Sequence, residues 1–434
     1  MSGRLPAGLR MYRLLSAAAG PFTPILLARR LKRGKEHQQR LSERRGENRT
    51  ARPEGPLVWL HGASVGELAS VLPLIDRIRA RGISILVTTG TVTSGGLAEQ
   101  RLPREVIHQF IPLDIPRFVR RFLDHWRPDL ALFVESELWP NMMIESAARG
   151  IPMVLVNARL SENSFDRWRR LPDSIAALLQ RVDLCLAGTS SDAARLSELG
   201  ASNVVTTGNL KLDVPAPPAD PVALATMQSV IIGRRLIAAT STHAGEEEVV
   251  LEAHARLRTN FPDLLTLIAP RHPERGLGVA QIAARAGLTA ALRSRGELPD
   301  RTTQIYVADT VGELGLIYRL ASAVFVGGSL VKHGGQNPIE PAKLRTAILH
   351  GPHVWNFAEV YSALDNAHGA EPIDGVNRLT AHLAAWLADP DACARVGEAG
   401  RIVMENLGGA LDRTLASLDP YLMQLQLHQR TRHA

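Results

Sequence analysis

Residues 58–75, VWLHGASVGELASVLPLI, decide how the rest of the chain reads. A short apolar run passes through a loop of small residues, Gly62, Ala63, Ser64 and Gly66, and enters a helix with one carboxylate, Glu67, in its first turn. An acid at that point faces the positive end of the helix macrodipole, so a helix-starting role explains it without further function. The same position also suits a catalytic base at the lip of a parallel sheet. From this stretch alone the helix-starting reading is the simpler one.

The strand-then-helix unit repeats. LVWL, ISILVTT, LALFVE, PMVLVNA and LCLAGT are short β-branched or apolar runs, each followed by a longer amphipathic stretch. That alternation implies a parallel sheet covered on both faces. The proline-dense segment LKLDVPAPPADPVA, residues 210–223, interrupts it. A second series then follows: RLIAAT, LLTLIAP, TQIYVAD, SAVFVGG and TAILHG. A chain of 434 residues is long for one domain. The expectation is two doubly wound α/β domains facing a central cleft, with ligands at the carboxyl ends of the strands. The boundaries read as an arm over 1–53, a first domain over 54–212, a linker over 213–224 and a second domain over 225–405. A Leu-rich helix over 406–434 is expected to pack back on the first domain.

Charge is unevenly spread. Residues 1–53 carry 13 Lys/Arg against three acids, Glu36, Glu43 and Glu47, leaving 37 basic and 40 acidic residues for the remainder of a chain whose net charge is +7. Leu14 to Ala28 is mostly apolar, broken by Pro21 and Pro24, and Arg29, Arg30, Lys32, Arg33 and Lys35 follow. The run is short of the roughly 20 apolar residues a spanning helix needs, and it lacks a signal-peptide cleavage site. An apolar wedge beside a polybasic stretch predicts an interfacial anchor on an anionic cytoplasmic leaflet. Nucleic-acid binding fits less well, because Tyr12 and Phe22 are not interleaved with the basic run. Two distant cysteines, Cys185 and Cys393, argue for a reducing compartment and against a thiolate metal site. With no HxxxH or Cys/His cluster, no metal is expected.

Several motifs could carry chemistry. FVGGSLVKHGGQNPIEPA, residues 325–342, ends a strand in glycines and starts a helix with Asn337 as cap and Pro338 at its first position. Bare N–H groups there would suit a nucleotide phosphate, and Glu340 could accept from ribose hydroxyls. The alternative is a glycine turn capped for stability. IAPRHPER, residues 268–275, sets Arg271, His272 and Arg275 at a strand end, as a phosphate clamp or a solvated loop. TSTHAGEEE (240–248) and DTVGELG (309–315) are capping patterns. FVESELWPN (133–141) places Glu135 and Glu137 just past a buried strand, where a carboxylate needs a partner or a task. Lys211 in GNLKLD is a candidate partner for Glu135.

Taken in order, HGASVGE, ESELWPN, NARLS, GNLKLD, ATSTHAGEEE, PRHPER, ADTVGEL, FVGGSL, GGQNPIEPA and GPHVWNF resemble the signatures of the Kdo (3-deoxy-D-manno-oct-2-ulosonic acid) transferases of lipopolysaccharide assembly. The resemblance runs over nearly the whole chain, arm included. It implies a GT-B fold, an N-terminal acceptor domain and a C-terminal domain for the donor CMP-Kdo, with no cofactor. It also implies that Glu67 is the catalytic base and that Glu135 and Lys211 stabilise the transition state. The implied CMP contacts are Pro270 and Arg271, then Val311, Gly312 and Glu313, then Asn337, Pro338, Ile339 and Glu340. The implied acceptor is the 6′-hydroxyl of a lipid A precursor (lipid IVA) at the membrane. Gln336 stands where the family often has His, which removes a chargeable group. Two rivals stay open: a GT-B transferase or 2-epimerase acting on a UDP- or GDP-sugar, and a non-catalytic scaffold for anionic lipid.

Overall fold

The computed structural model describes residues 5–433, with side chains up to Leu427. The chain divides into two compact units, Met1–Val214 with Gly408–Ala434, and Pro215–Leu407. Each holds one seven-stranded, wholly parallel sheet.

In the first unit the strands are β1 (Leu57–His61), β2 (Ser84–Thr89), β3 (Ile107–Phe110), β4 (Leu130–Val134), β5 (Met153–Ala158), β6 (Leu184–Ala187) and β7 (Val204–Thr206), in the spatial order β3-β2-β1-β4-β5-β6-β7. β1, β4 and β5 are buried along their whole length, which is why they announce themselves as unbroken apolar runs. One face of the sheet packs around Trp59, Phe122, Trp126 and Phe133; the other packs around Leu60, Leu74, Ile75 and Val87. The second face is closed by the helix Ala410–His433, whose Leu415, Leu418, Leu422 and Leu425 recur at helical spacing and are buried there. The Asp213 carboxylate holds the start of that helix by accepting the Gly409 N–H at 2.8 Å and the Leu411 N–H.

The second unit has β8 (Leu236–Thr242), β9 (Leu265–Pro270), β10 (Ala290–Leu292), β11 (Ile305–Val307), β12 (Ala323–Val326), β13 (Ala347–His350) and β14 (Ala370–Pro372), ordered β10-β11-β9-β8-β12-β13-β14. The four strands that the hydrophobic runs do not reveal, β3, β7, β10 and β14, are the four sheet edges. Each is only three or four residues long and partly exposed, so none writes the unbroken apolar run that reveals equally short inner strands such as β11. Strand order reverses between β1 and β4 in one sheet and between β8 and β12 in the other. Open α/β sheets bind ligands in the crevice at such points.

The N-terminal segment differs from the expected separate arm. It forms two helices, Ala7–Ala19 and Thr23–Lys32, and belongs to the first unit. Leu9 enters the core around Trp59. Buried Arg44 pairs with buried Glu36 at 2.8 Å and donates to the Ile111 carbonyl at 3.0 Å. Arg30 also pairs with Glu36, at 2.6 Å, so part of the basic charge is neutralised within the unit. Met11, Leu14, Leu15, Phe22, Ile25 and Leu26 nevertheless remain exposed, Leu14 by 72%. Among the described residues no helix is long and apolar enough to cross a membrane.

Candidate active site

Glu67 does what its position in the helix demands. Ser64 is the N-cap of the helix Val65–Arg79 and accepts the Glu67 N–H at 3.2 Å; its hydroxyl donates to Glu67 Oε1 at 2.7 Å. Glu67 Oε2 accepts the Ala63 N–H at 2.8 Å. Each oxygen is held by one donor and keeps a lone pair for another, so capping and base chemistry do not compete. Burial raises the Glu67 pKa; the Ser64 and Ala63 bonds oppose this, while the charges of Glu137 and Glu135 reinforce it. A raised pKa makes a carboxylate a stronger base at neutral pH.

β4 ends at Val134, and Glu135 directly after it has a left-handed backbone, φ 57°, that a non-glycine residue adopts at a cost. On the neighbouring strand, Asn157 at φ 52° does the same. The Asn157 side chain accepts the Leu210 N–H at 3.0 Å, and Asn209 accepts the Lys211 N–H at 3.0 Å. These bonds build the short 3-10 turn Leu210–Leu212 that aims Lys211, whose Nζ lies 2.6 Å from Glu135 Oε1. The expected Glu135–Lys211 pair therefore forms, with backbone strain at both strand ends that present it.

At this reversal point Glu137, expected to need a partner, finds one in His61, a residue not singled out from the sequence. His61, the last residue of β1, is fully buried; its Nε2 lies 3.3 Å from Glu137 Oε2 and its Nδ1 lies 3.0 Å from both the Thr88 hydroxyl and carbonyl. Trp139 Nε1 also donates to Glu137. Burial would push the Glu137 pKa up, but the His61 bond and charge and the Trp139 bond hold it below the ordinary value. Glu137 thus favours its charged form, and that charge is one of the causes that raise the Glu67 pKa. For His61 the signal available in the sequence was position alone: it ends the strand before Glu67.

In the second unit the glycine loop is not bare. Glu246, at the start of the helix Glu246–Leu257, is fully buried, and its carboxylate accepts the N–H groups of Gly328 at 2.8 Å, Ser329 at 3.0 Å and Leu330 at 3.0 Å, with His243 at 2.9 Å. Gly335 donates to the Gly328 carbonyl. The anion-binding nest that GGSL builds is thus filled by the protein's own carboxylate. What reads as a cap in THAGEEE is the clamp of this loop. Asn337 caps as expected, accepting the Ile339 N–H at 3.0 Å, but the helix starts one residue later and is short, Ile339–Lys343. Asn337 also donates to Glu340 Oε1 at 3.2 Å, and burial raises the Glu340 pKa. A largely buried carboxylate with accepting capacity left over suits ribose hydroxyls.

Pro270 ends β9 and is buried, while Arg271 beside it is exposed. Arg275 is not available to a phosphate, since it pairs with buried Glu247 at 2.7 Å. Val311 is 86% exposed, and Gly312 at φ 88° turns the loop with open space where a Cβ would sit. Glu313 pairs with Arg293 at 2.6 Å and accepts from Thr310, and the Arg293 bond holds its pKa below the usual value. His243 lines the same loop, stacked on His333 with centroids 4.1 Å apart and its Nε2 3.4 Å from Gln336 Nε2. Both cysteines are free and buried.

Comparison with known proteins separates fold from family. A glycosyltransferase from Rickettsia africae matches with a TM-score of 0.56 over 86% of this chain and 99% of its own, at 9% identity. A UDP-GlcNAc 2-epimerase from Neisseria meningitidis matches with 0.54 over 81% and 99%, at 10% identity. At such identities only the two-unit fold is shared, so shape does not choose between transfer and epimerisation. The sequence does. Residues 39–214 match the family model described as 3-deoxy-D-manno-octulosonic-acid transferase (kdotransferase). The 3-deoxy-D-manno-octulosonic acid transferase of Haemophilus influenzae is 35% identical over 89% of this chain and 92% of its own length. The chain belongs to the Kdo transferases, a family of glycosyltransferases.

Proposed function

We propose that this protein moves Kdo from CMP-Kdo to the 6′-hydroxyl of a lipid A precursor in lipopolysaccharide biosynthesis, with inversion at the anomeric carbon. Glu67 takes the proton of the acceptor hydroxyl as its oxygen attacks the anomeric carbon, and the bond to the CMP phosphate oxygen breaks with its electron pair leaving on CMP. The observation that carries this reading is Glu67 itself: a carboxylate held by two donors, with its pKa raised, beside the strained Glu135–Lys211 pair. An alcohol is a weak nucleophile at neutral pH, and a positioned base contributes about 10² to 10⁴ in rate. Lys211 and Glu135 would steady charge as it develops. In the second unit, Arg271 would meet the phosphate, Glu340 the ribose, and Pro270, Val311, Gly312, Asn337, Pro338 and Ile339 the rest of CMP. Glu313, already paired with Arg293, would act by shaping its loop. The reaction so written draws on no metal ion or cofactor.

The exposed apolar face of the two N-terminal helices, followed by Arg29, Arg30, Lys32, Arg33 and Lys35, would hold the protein on the anionic cytoplasmic face of the inner membrane, where a lipid acceptor lies. Mass spectrometry of the lipid formed from purified protein, CMP-Kdo and tetraacyl lipid A precursor tests the proposal. A product heavier by one or more Kdo residues supports it and counts the transfers. An unmodified lipid under conditions where CMP binds overturns it.

A further inference from the structure

The helix Ala7–Ala19 has two stripes. Met11, Leu14 and Leu15 are exposed, whereas Leu9 is buried and Tyr12, Arg13 and Ser16, at the i+3, i+4 and i+7 positions of the same helix face, reach the first unit with their polar atoms, Tyr12 itself remaining 37% exposed. Tyr12 Oη donates to Asp114 Oδ2 at 2.9 Å, Ser16 Oγ accepts from Asn141 Nδ2 at 3.0 Å, and Arg13 pairs with Glu145. Asn141 and Glu145 both lie on the helix Pro140–Ala148, the one that leaves the loop carrying Glu135 and Glu137.

Asp114 stands at the start of that helix. Its Oδ2 accepts the Asn141 N–H at 3.0 Å, its Oδ1 accepts the Met142 N–H at 2.9 Å, and its carbonyl accepts from Asn141 Nδ2 at 2.6 Å. The residue is buried, so a charge there depends on these donors and on the Tyr12 hydroxyl. Only five residues, 135–139, separate β4 from this helix. Wherever Asp114 and Tyr12 hold the helix start, the far end of the loop is held too. The strained backbone of Glu135 needs such surroundings to persist.

We propose that Tyr12 and Asp114 are positioning residues for transfer: seating the helix Ala7–Ala19 on an anionic lipid surface keeps Tyr12 on Asp114, and Asp114 thereby fixes the loop that presents Glu135 and Glu137. Lipid is the occupant argued for because the exposed stripe adjoins a cationic run, which complements an anionic surface and not a basic partner. The inference rests on the function proposed above.

The test uses the full chain and its Tyr12→Phe variant, with CMP-Kdo and lipid A precursor, in neutral and in anionic vesicles. Anionic vesicles raise kcat of the wild type. The variant stays folded, with a melting temperature lower by no more than a few degrees, and keeps its co-sedimentation with anionic vesicles and its KM for CMP-Kdo. It loses the rise in kcat, falling roughly tenfold below wild type there, the scale expected of a misplaced reacting group. Asp114→Asn lowers kcat in the same sense, and the double variant is no slower than Asp114→Asn alone, because both changes break one connection. A Tyr12→Phe protein with wild-type kcat and lipid response overturns the inference while leaving the proposed function standing. Additive losses, or loss of vesicle binding in Tyr12→Phe, overturn it as well. A wild type that transfers no Kdo overturns both.

Discussion

At the scale of the residue, Glu67 shows that a structural and a chemical role can share one side chain. Glu67→Gln keeps a single amide oxygen in place of two acceptors, so it loses one capping bond, worth about 1 kcal/mol, and the capacity to take a proton. The expected result is a folded protein with unchanged KM for CMP-Kdo and kcat lower by about 10² to 10⁴, read by steady-state kinetics. A base acts only when deprotonated, so kcat/KM falls as pH drops through the Glu67 pKa. Because burial raises that pKa, the acidic limb of the profile lies above the ordinary carboxylate range. Glu137 contributes to the raising through its charge. Glu137→Gln removes the charge, and the acidic limb is expected to move to lower pH. A limb that stays in place would show that Glu137 does not act through Glu67.

At the scale of the element, the helix Ala410–His433 matters most to the first unit although it comes from the far end of the chain. Leu418 is fully buried in the cluster that also holds Leu68, Val71 and Leu74 of the helix Val65–Arg79. Leu418→Ala is expected to cost about 2–5 kcal/mol, as a buried leucine truncation does. Calorimetry should show the unfolding of the first unit several degrees lower, at about 2–4 °C per kcal/mol for a unit of this size. Donor-side affinity for CMP should be unchanged, since that site is built in the other unit. In the second unit, the Glu246 clamp explains why the glycine loop needs no ligand to hold its shape. Four backbone donors lose their acceptor when the carboxylate is removed.

At the scale of the whole molecule, the net charge of +7 misleads unless divided. Arg44 and Arg30 are both spent on buried Glu36, while Arg29, Lys32, Arg33 and Lys35 lie beside the exposed apolar stripe. Binding to anionic vesicles should therefore weaken as salt rises and survive in part through apolar contact. Leu14→Asp with Leu15→Asp is expected to remove most of the sedimentation that survives at high salt, without changing CMP affinity. High-salt sedimentation equal to that of the wild type would place the apolar lipid contact elsewhere.

The sequence by itself determined the parallel α/β character, the two-sheet layout, and the placing of Glu67 and Glu135 after strands, of Lys211 before the linker and of Glu340 in a helix's first turn, because these rest on local patterns: buried runs, caps and turns. It could not reveal the edge strands, which are short and partly exposed and so carry no unbroken apolar run, nor the fate of the N-terminal segment, whose helices bury one stripe and expose the other. Only the tertiary structure decided that Glu246 fills the glycine nest, that Arg275 is consumed by Glu247, and that His61 and Glu137 join Glu67 at the strand reversal. Each of those depends on which distant backbone arrives beside a side chain. A buried carboxylate takes whichever donors the fold brings to it, and no local pattern encodes that choice.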